Sequence, residues 1–276
     1  MKKQDNVSLV DVRTVIRSKS PVLERYLPNF VIRYLENILH QNEINDILNN
    51  FGHLPGAQAA DAIYRYSDAQ IVVHGIDKVP VEGRYIFVSN HPLGGLDGVM
   101  LIKVIGERFQ GVKFIVNDLL LHLKIFKDVF VPVNKHGYQN PHYAQQINET
   151  YESNDQIIYF PAGLCSRRIK GVITDLPWKR SVFRKAAQYH RDIIPIFFSG
   201  QNSRFFYRLA NIRKFLHIPF NLEMLYLSDE AFRQKGATFD IYFGSPIPYN
   251  SFSSLKSLDQ WILSIRNYVY SLPQQK

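Results

Sequence analysis

A histidine and an aspartate six positions apart, His91 and Asp97, stand in the turn Val88-Ser-Asn-His-Pro-Leu-Gly-Gly-Leu-Asp-Gly98. An imidazole can take a proton near neutral pH. A carboxylate within reach would fix its tautomer and stabilise the imidazolium that forms. Pro92, Gly94 and Gly95 lie between the two residues. Such a segment can double back, because glycine adopts conformations that other residues avoid. The plainer reading makes Asp97 a helix N-cap and His91 a loop residue. On spacing alone both readings stay open and the plainer is favoured, because short motifs mislead.

A second constellation is Phe160-Pro-Ala-Gly-Leu-Cys-Ser-Arg-Arg168, with Lys170 just beyond. Backbone N–H groups at such a turn, with guanidinium groups beside them, suit an anion. A solvated basic loop would look the same. Trp178-Lys-Arg-Ser-Val-Phe-Arg-Lys185 adds four more cations, and reads equally as a helix start with Phe183 inward. In the segment Arg204–Leu216, Phe205, Leu209, Ile212 and Leu216 fall on one helical face, with Arg208, Arg213 and Lys214 elsewhere. Basic and aromatic residues on an amphipathic helix mark a membrane-surface segment, although such a stripe also serves as an ordinary core face. Gly-x-Ser-x-Gly, the Gly-Lys-Ser/Thr phosphate loop, Gly-x-Gly-x-x-Gly, Cys-x-x-Cys and His-Glu-x-x-His are all absent from the sequence. Serine-hydrolase, nucleotide and zinc chemistry lose their support accordingly. The other histidines show no metal-ligand spacing, and no metal is expected.

The elements that must position these residues follow from hydrophobic periodicity. Helices are predicted over Pro28–Leu39, Asn42–Asn50 and Ala57–Tyr66, after a polar arm over residues 1–20 that is loose or briefly helical. Strands are predicted at Ile71–Gly75, Tyr85–Ser89, Val112–Val116, Val129–Val133, Gln156–Phe160, Ile193–Phe198 and Thr238–Phe243. Between them fall helices from Asp97 to about Phe109, near Leu119–Lys127, over Pro141–Glu152 and over Ser181–His190. A final amphipathic helix covers Leu255–Leu272. The alternation implies an α/β fold: a mixed, mostly parallel sheet flanked by helices, under an N-terminal helical cover. One domain is expected over 1–276, divided into a cover at 1–67, an α/β core at 68–250 and a C-terminal helix at 251–276. His91 then sits at the carboxyl end of a strand, where open α/β sheets bind ligands.

A hydrophobic share of 46% with 21% charged residues is a globular composition rather than a disordered one. The net charge of +9 favours an anionic partner: nucleic acid, an anionic membrane face or an acidic substrate. Cys165 is the one cysteine, so no internal disulfide is possible and a reducing compartment is expected. The N-terminus lacks the apolar core of a signal peptide. No stretch reaches the ~18–20 apolar residues of a membrane span. The expected location is cytoplasmic, peripheral on the inner face of the membrane.

Four blocks, in order, resemble the lysophospholipid (glycerolipid) acyltransferase superfamily. Ser89-Asn-His-Pro with Asp97 is similar to its catalytic block. Phe130-Val-Pro-Val-Asn-Lys135 is similar to its acceptor-binding block, Phe160-Pro-Ala-Gly163 to its Phe-Pro-Glu-Gly block, and Ile194-Pro-Ile-Phe-Phe198 to its fourth. There are departures. Five residues rather than four separate His91 from Asp97, Ala162 replaces the glutamate, and Leu164-Cys165 replaces Thr-Arg. A bacterial branch of haemolysin-like and aminolipid acyltransferases shows the same Asn-His-Pro-x-Gly-Gly-x-Asp-Gly and Phe-Pro-Ala-Gly style.

The resemblance implies an O-acyltransferase of membrane lipid synthesis. His91 would be the general base on a lysolipid hydroxyl, and Asp97 would orient it. Acyl-ACP or acyl-CoA would be co-substrate, with no other cofactor. Backbone N–H groups near Gly94, Gly95 or Gly163 would hold the oxyanion. Asn134, Lys135, Ser166, Arg167 and Arg168 would hold the acceptor head group, of a lyso-aminolipid of ornithine or glycine type. The rival within the class is 1-acylglycerol-3-phosphate acylation. The rival outside it is a non-catalytic binder of anionic membranes or nucleic acid, although the aromatics read as strand residues rather than as stacking platforms for RNA.

Overall fold

The computed structural model describes residues 9–117, 120–121, 123–133, 141–252 and 257–274. The chain opens with five helices: α1 (Val12–Lys19), α2 (Pro21–Tyr26), α3 (Asn29–Ile38), α4 (Gln41–Phe51) and α5 (Gly56–Tyr66). Their starts follow local chemistry. The Asp11 carboxylate accepts from Thr14 N–H, and the Ser20 hydroxyl accepts from Leu23 N–H with Pro21 at the first helical position.

The alternating part follows with β1 (Gln70–His74), β2 (Tyr85–Ser89), α6 (Leu96–Arg108), β3 (Val112–Asn117), β4 (Phe130–Val133), α7 (Pro141–Glu152) and β5 (Gln156–Tyr159). A small antiparallel hairpin comes next, β6 (Arg167–Ile169) and β7 (Val172–Thr174). Then come α8 (Ser181–Gln188), β8 (Asp192–Phe198), α9 (Arg204–Phe215), α10 (Leu227–Phe232), β9 (Thr238–Phe243) and α11 (Leu258–Ser271).

Seven strands form one sheet in the order β1-β9-β8-β2-β5-β3-β4. Strands β8, β2, β5, β3 and β4 are parallel, while β1 and β9 pair parallel with each other and run against β8. The expected mixed, mostly parallel sheet is therefore present. Strand β2 lies in its middle and is buried at every position, as a strand covered on both faces must be. Side chains alternate across it. Tyr85 and Phe87 join a core with Met100, Leu101 and Ile105 of α6 and Ala59 and Ala60 of α5. Ile86 and Val88 point the other way, toward Val182 and Phe183 of α8 and Ile262, Ile265 and Val269 of α11.

The seven expected strands all form, within a residue or two at their ends. The helix expected near Leu119–Lys127 does not form among the described residues, where Lys124–Phe126 is a single 3₁₀ turn. Ile125 and Phe126 are buried in the sheet's core there, and an apolar run of that length fits a packed turn as well as a helix. The β6–β7 hairpin and α10 were not anticipated.

Candidate active site

Strand β2 ends at Ser89, and Asn90 fixes the exit of the chain. Its side-chain amide donates to Phe198 O at 2.9 Å and accepts from Phe198 N–H at 2.7 Å, tying the β2 exit to the end of β8. Gly94 has φ +81°, and a Cβ there would lie 2.7 Å from Leu227 Cδ2 and 3.2 Å from Cys165 Cβ. Glycine at this position therefore answers both a backbone requirement and a close approach.

The chain does double back. His91 Nδ1 lies 2.9 Å from Asp97 Oδ2. Leu93 N–H donates to the same oxygen at 3.0 Å, and Gly98 N–H donates to Oδ1 at 2.9 Å. Asp97 is not the N-cap of α6; Gly95 holds that position and Asp97 stands in the first helical turn. The Asp97 side chain has no exposure, and that of His91 retains 14%. Burial alone would push the Asp97 carboxyl up. The imidazole beside it and the Leu93 and Gly98 N–H groups outweigh that, so it lies below the ordinary carboxylate value. An ionised carboxylate only accepts, so Nδ1 carries the proton and the Nε2 lone pair is the basic one. Nε2 has no hydrogen-bond partner among the described residues. The imidazole face stacks on Phe160, with centroids 3.9 Å apart and planes 14° apart.

The remaining expected site residues divide. The N–H groups of Gly94 and Gly95 have no acceptor among the described residues, whereas Gly163 N–H is taken by Phe160 O at 3.0 Å. Ser166 is buried, with its hydroxyl 2.6 Å from Asp175 Oδ1 and 3.2 Å from His91 O. Arg167, also buried, pairs with Glu223 at 2.9 Å and donates to Cys165 O at 2.7 Å. Glu223 in turn accepts from Arg213 at 2.9 Å. The Arg167 charge is thus spent inside the protein, while Arg168 is exposed on the hairpin. Asn134 and Lys135 lie outside the described residues. Burial pushes the Cys165 thiol up to about 11, so it is no nucleophile at neutral pH.

Asp175, Asn90 and Glu223 belong to this neighbourhood, and sequence reading passed over all three. Asn90 stood inside the His91 block. Asp175 and Glu223 lie outside the blocks that carry the site, and the contacts that bring them to it, with His91 N–H and with Arg167, span 84 and 56 residues.

Residues 14–275 match the acyltransferase family. The chain belongs to that family. The glycerolipid acyltransferase resemblance carried by the four blocks therefore holds, and the protein is an enzyme. It is similar to the lyso-glycine lipid O-acyltransferase of Bacteroides thetaiotaomicron, at 46% identity over 97% of this chain and 99% of that one. It is likewise similar to the lyso-glycine lipid O-acyltransferase of Phocaeicola vulgatus, at 40% identity over 97% of this chain and 96% of that one. Among solved structures it matches the 1-acyl-sn-glycerophosphate acyltransferase PlsC of Thermotoga maritima, with a TM-score of 0.46 and 17% identity over 95% of this chain and 92% of that one.

Proposed function

We propose that this acyltransferase moves a fatty acyl chain from a thioester, acyl-ACP or acyl-CoA, to the free hydroxyl of a lyso-glycine lipid. The observation that carries the chemistry is the His91–Asp97 contact at 2.9 Å, which leaves Nε2 as the base. Nε2 takes the proton of the acceptor hydroxyl as its oxygen attacks the thioester carbonyl. The tetrahedral oxyanion accepts from the N–H groups of Gly94 and Gly95. Collapse breaks the C–S bond, the imidazolium returns its proton to the leaving thiolate, and the products are the ester and the free thiol. Asp97 stays ionised and steadies the imidazolium. No metal and no further cofactor enters this scheme.

Identity of 46% across nearly the whole chain supports the glycine-lipid acceptor. Against 1-acylglycerol-3-phosphate as acceptor, Ala162 stands where that chemistry's usual block has a glutamate, and Arg167 is paired with Glu223. The acceptor's anionic head group is assigned to Arg168, with Asn134 and Lys135 beyond the described residues.

A seat on the cytoplasmic leaflet is part of the same reading. No helix among the described residues is long and apolar enough to cross a membrane. What supports a surface seat is α9, whose inner face is Phe206, Tyr207 and Ala210. Phe205, Ile212, Phe215 and Leu216 are turned outward, Phe215 with 80% exposure, and Arg208 lies among them. Tyr226 links this face to α3, through an edge contact with Phe205 and a 2.5 Å hydroxyl contact with Tyr34.

The test is purified protein with labelled acyl thioester, offered lyso-glycine lipid or lysophosphatidic acid. Transfer to the glycine lipid is expected, and His91→Ala should lower it by about 10²–10⁴-fold. Equal activity of His91→Ala would remove the mechanism, and a preference for lysophosphatidic acid would remove the acceptor.

A further inference from the structure

The imidazole of His91 is held by Asp97, but something must also hold the main chain that carries it. His91 N–H donates to Asp175 Oδ1 at 3.2 Å. His91 O accepts from Ser166 N–H at 2.7 Å. Ser166 Oγ also lies 2.6 Å from Asp175 Oδ1, which closes a ring of three residues. The other carboxylate oxygen accepts from Trp178 Nε1 at 2.9 Å. Asp175 has 2% exposure and Ser166 likewise 2%. The backbone of Asp175 is itself pinned from α11, its N–H donating to Tyr270 OH at 2.9 Å and its O accepting from Arg266 at 3.1 Å.

Asp175 therefore joins three separate parts of the fold at one point. These are the turn after β2, the strand β6 that begins beside Ser166, and the α11 layer behind the sheet. It touches His91 only through the main chain and has no part in the proton transfer as written. A carboxylate accepting three donors in a dry site is a rigid fixture, since losing any donor strands a buried acceptor.

We propose that Asp175 is a positioning residue for the acyl transfer. With Ser166 it clamps both main-chain groups of His91, so that the imidazole is presented to Asp97 on one side and to the acceptor hydroxyl on the other. This rests on His91 being the general base. Misplacing a reacting group by about 1 Å costs on the order of 10²-fold in rate, which is the scale of effect the clamp controls.

The experiment is a double-mutant cycle of Asp175→Asn and His91→Ala in the full-length enzyme, with kcat and KM measured for lysolipid and thioester. Asp175→Asn should lower kcat by about 10- to 100-fold, with KM within about threefold of wild type. In the His91→Ala background, Asp175→Asn should change kcat no further, because the residue it acts through is gone. An Asp175→Asn enzyme with wild-type kcat, or one losing the same factor in both backgrounds, overturns the proposal. Wild-type activity in His91→Ala alone overturns the general-base reading instead, so the two failures are told apart. If Asp175→Asn does not fold, Ser166→Ala serves, since it keeps the carboxylate and removes the hydroxyl that ties it to Ser166, whose N–H holds His91 O. Ser166→Ala should lower kcat with KM unchanged, and Ser166→Thr should restore it. A Ser166→Thr enzyme no better than Ser166→Ala overturns the clamp.

Discussion

Asp97 carries a buried negative charge whose stability rests on three donors, His91 Nδ1–H and the N–H groups of Leu93 and Gly98. The sign of its pH effect follows from the lowered carboxyl value in the folded state. Protonation is harder in the native protein than in the unfolded chain. Asp97 therefore contributes stability that is fully present above the unfolded value of about 4. That contribution is lost as pH falls through the lower, folded value. Urea unfolding should find Asp97→Asn less stable than wild type at neutral pH, with the difference shrinking as pH drops below about 4. A difference that grew with acidity would contradict the assignment. The same substitution should lower kcat, because an amide in place of the carboxylate removes the charge that steadies the imidazolium.

Helix α9 shows what periodicity leaves open. The Phe205, Leu209, Ile212 and Leu216 stripe was plain in the sequence, but periodicity does not say which face meets the protein. The core takes Phe206, Tyr207 and Ala210, two of them aromatic, and leaves the stripe's Phe205, Ile212 and Leu216 outside. Ile212→Ser with Phe215→Ser should keep the fold, since both side chains are exposed. Burying one large apolar side chain is worth roughly 1.5–3 kcal/mol, so partition onto vesicles containing anionic lipid should fall at least about tenfold. Sedimentation with such vesicles measures it, and unchanged binding would move the seat elsewhere. The β6–β7 hairpin was illegible for a different reason. Its strands have three residues each, Arg167–Ile169 and Val172–Thr174, too short for an alternation to register. Strands β2 and β8 were legible because burial on both faces enforces apolar runs, and β9 because its buried positions alternate. Asp97 is legible as a partner of His91 only together with the later blocks, and Asp175 is not legible at all. A contact across 84 residues is set by topology, which no local window contains.

At the scale of the whole molecule, the sheet brings three carboxyl ends to one edge. His91 follows β2, Phe160 follows β5, and Phe198, bound by Asn90, ends β8. This is the arrangement by which parallel sheets gather a site from distant sequence. Behind that edge the strands are locked by Arg191, whose side chain is wholly buried. Its guanidinium donates to Tyr151 O and Asp155 O at 2.8 Å each, and to Ser153 O. Burial, with Arg84 nearby, pushes it down to about 10, so it stays charged at neutral pH. Arg191→Ala would strip Asp155 O of its guanidinium donor and leave Tyr151 O and Ser153 O to Arg84 alone. Stranding one buried carbonyl costs roughly 1–3 kcal/mol, and the loss in urea unfolding should fall in that range. A loss under about 1 kcal/mol would mean that water replaces the guanidinium.

The four restraints on His91 are its N–H, its carbonyl, its Nδ1 and its stacked face, and all four are supplied by the chain itself. None of them has to wait for a lipid. A base so held cannot tell the hydroxyl of an acceptor from that of water, so selectivity between transfer and waste depends on which oxygen reaches Nε2 first. The enzyme should therefore be a slow thioesterase when starved of acceptor. Free thiol should appear from acyl-CoA without any lysolipid, should disappear in His91→Ala, and should be suppressed as lysolipid is added. An enzyme that releases no thiol until lipid arrives would show that the acceptor completes the site.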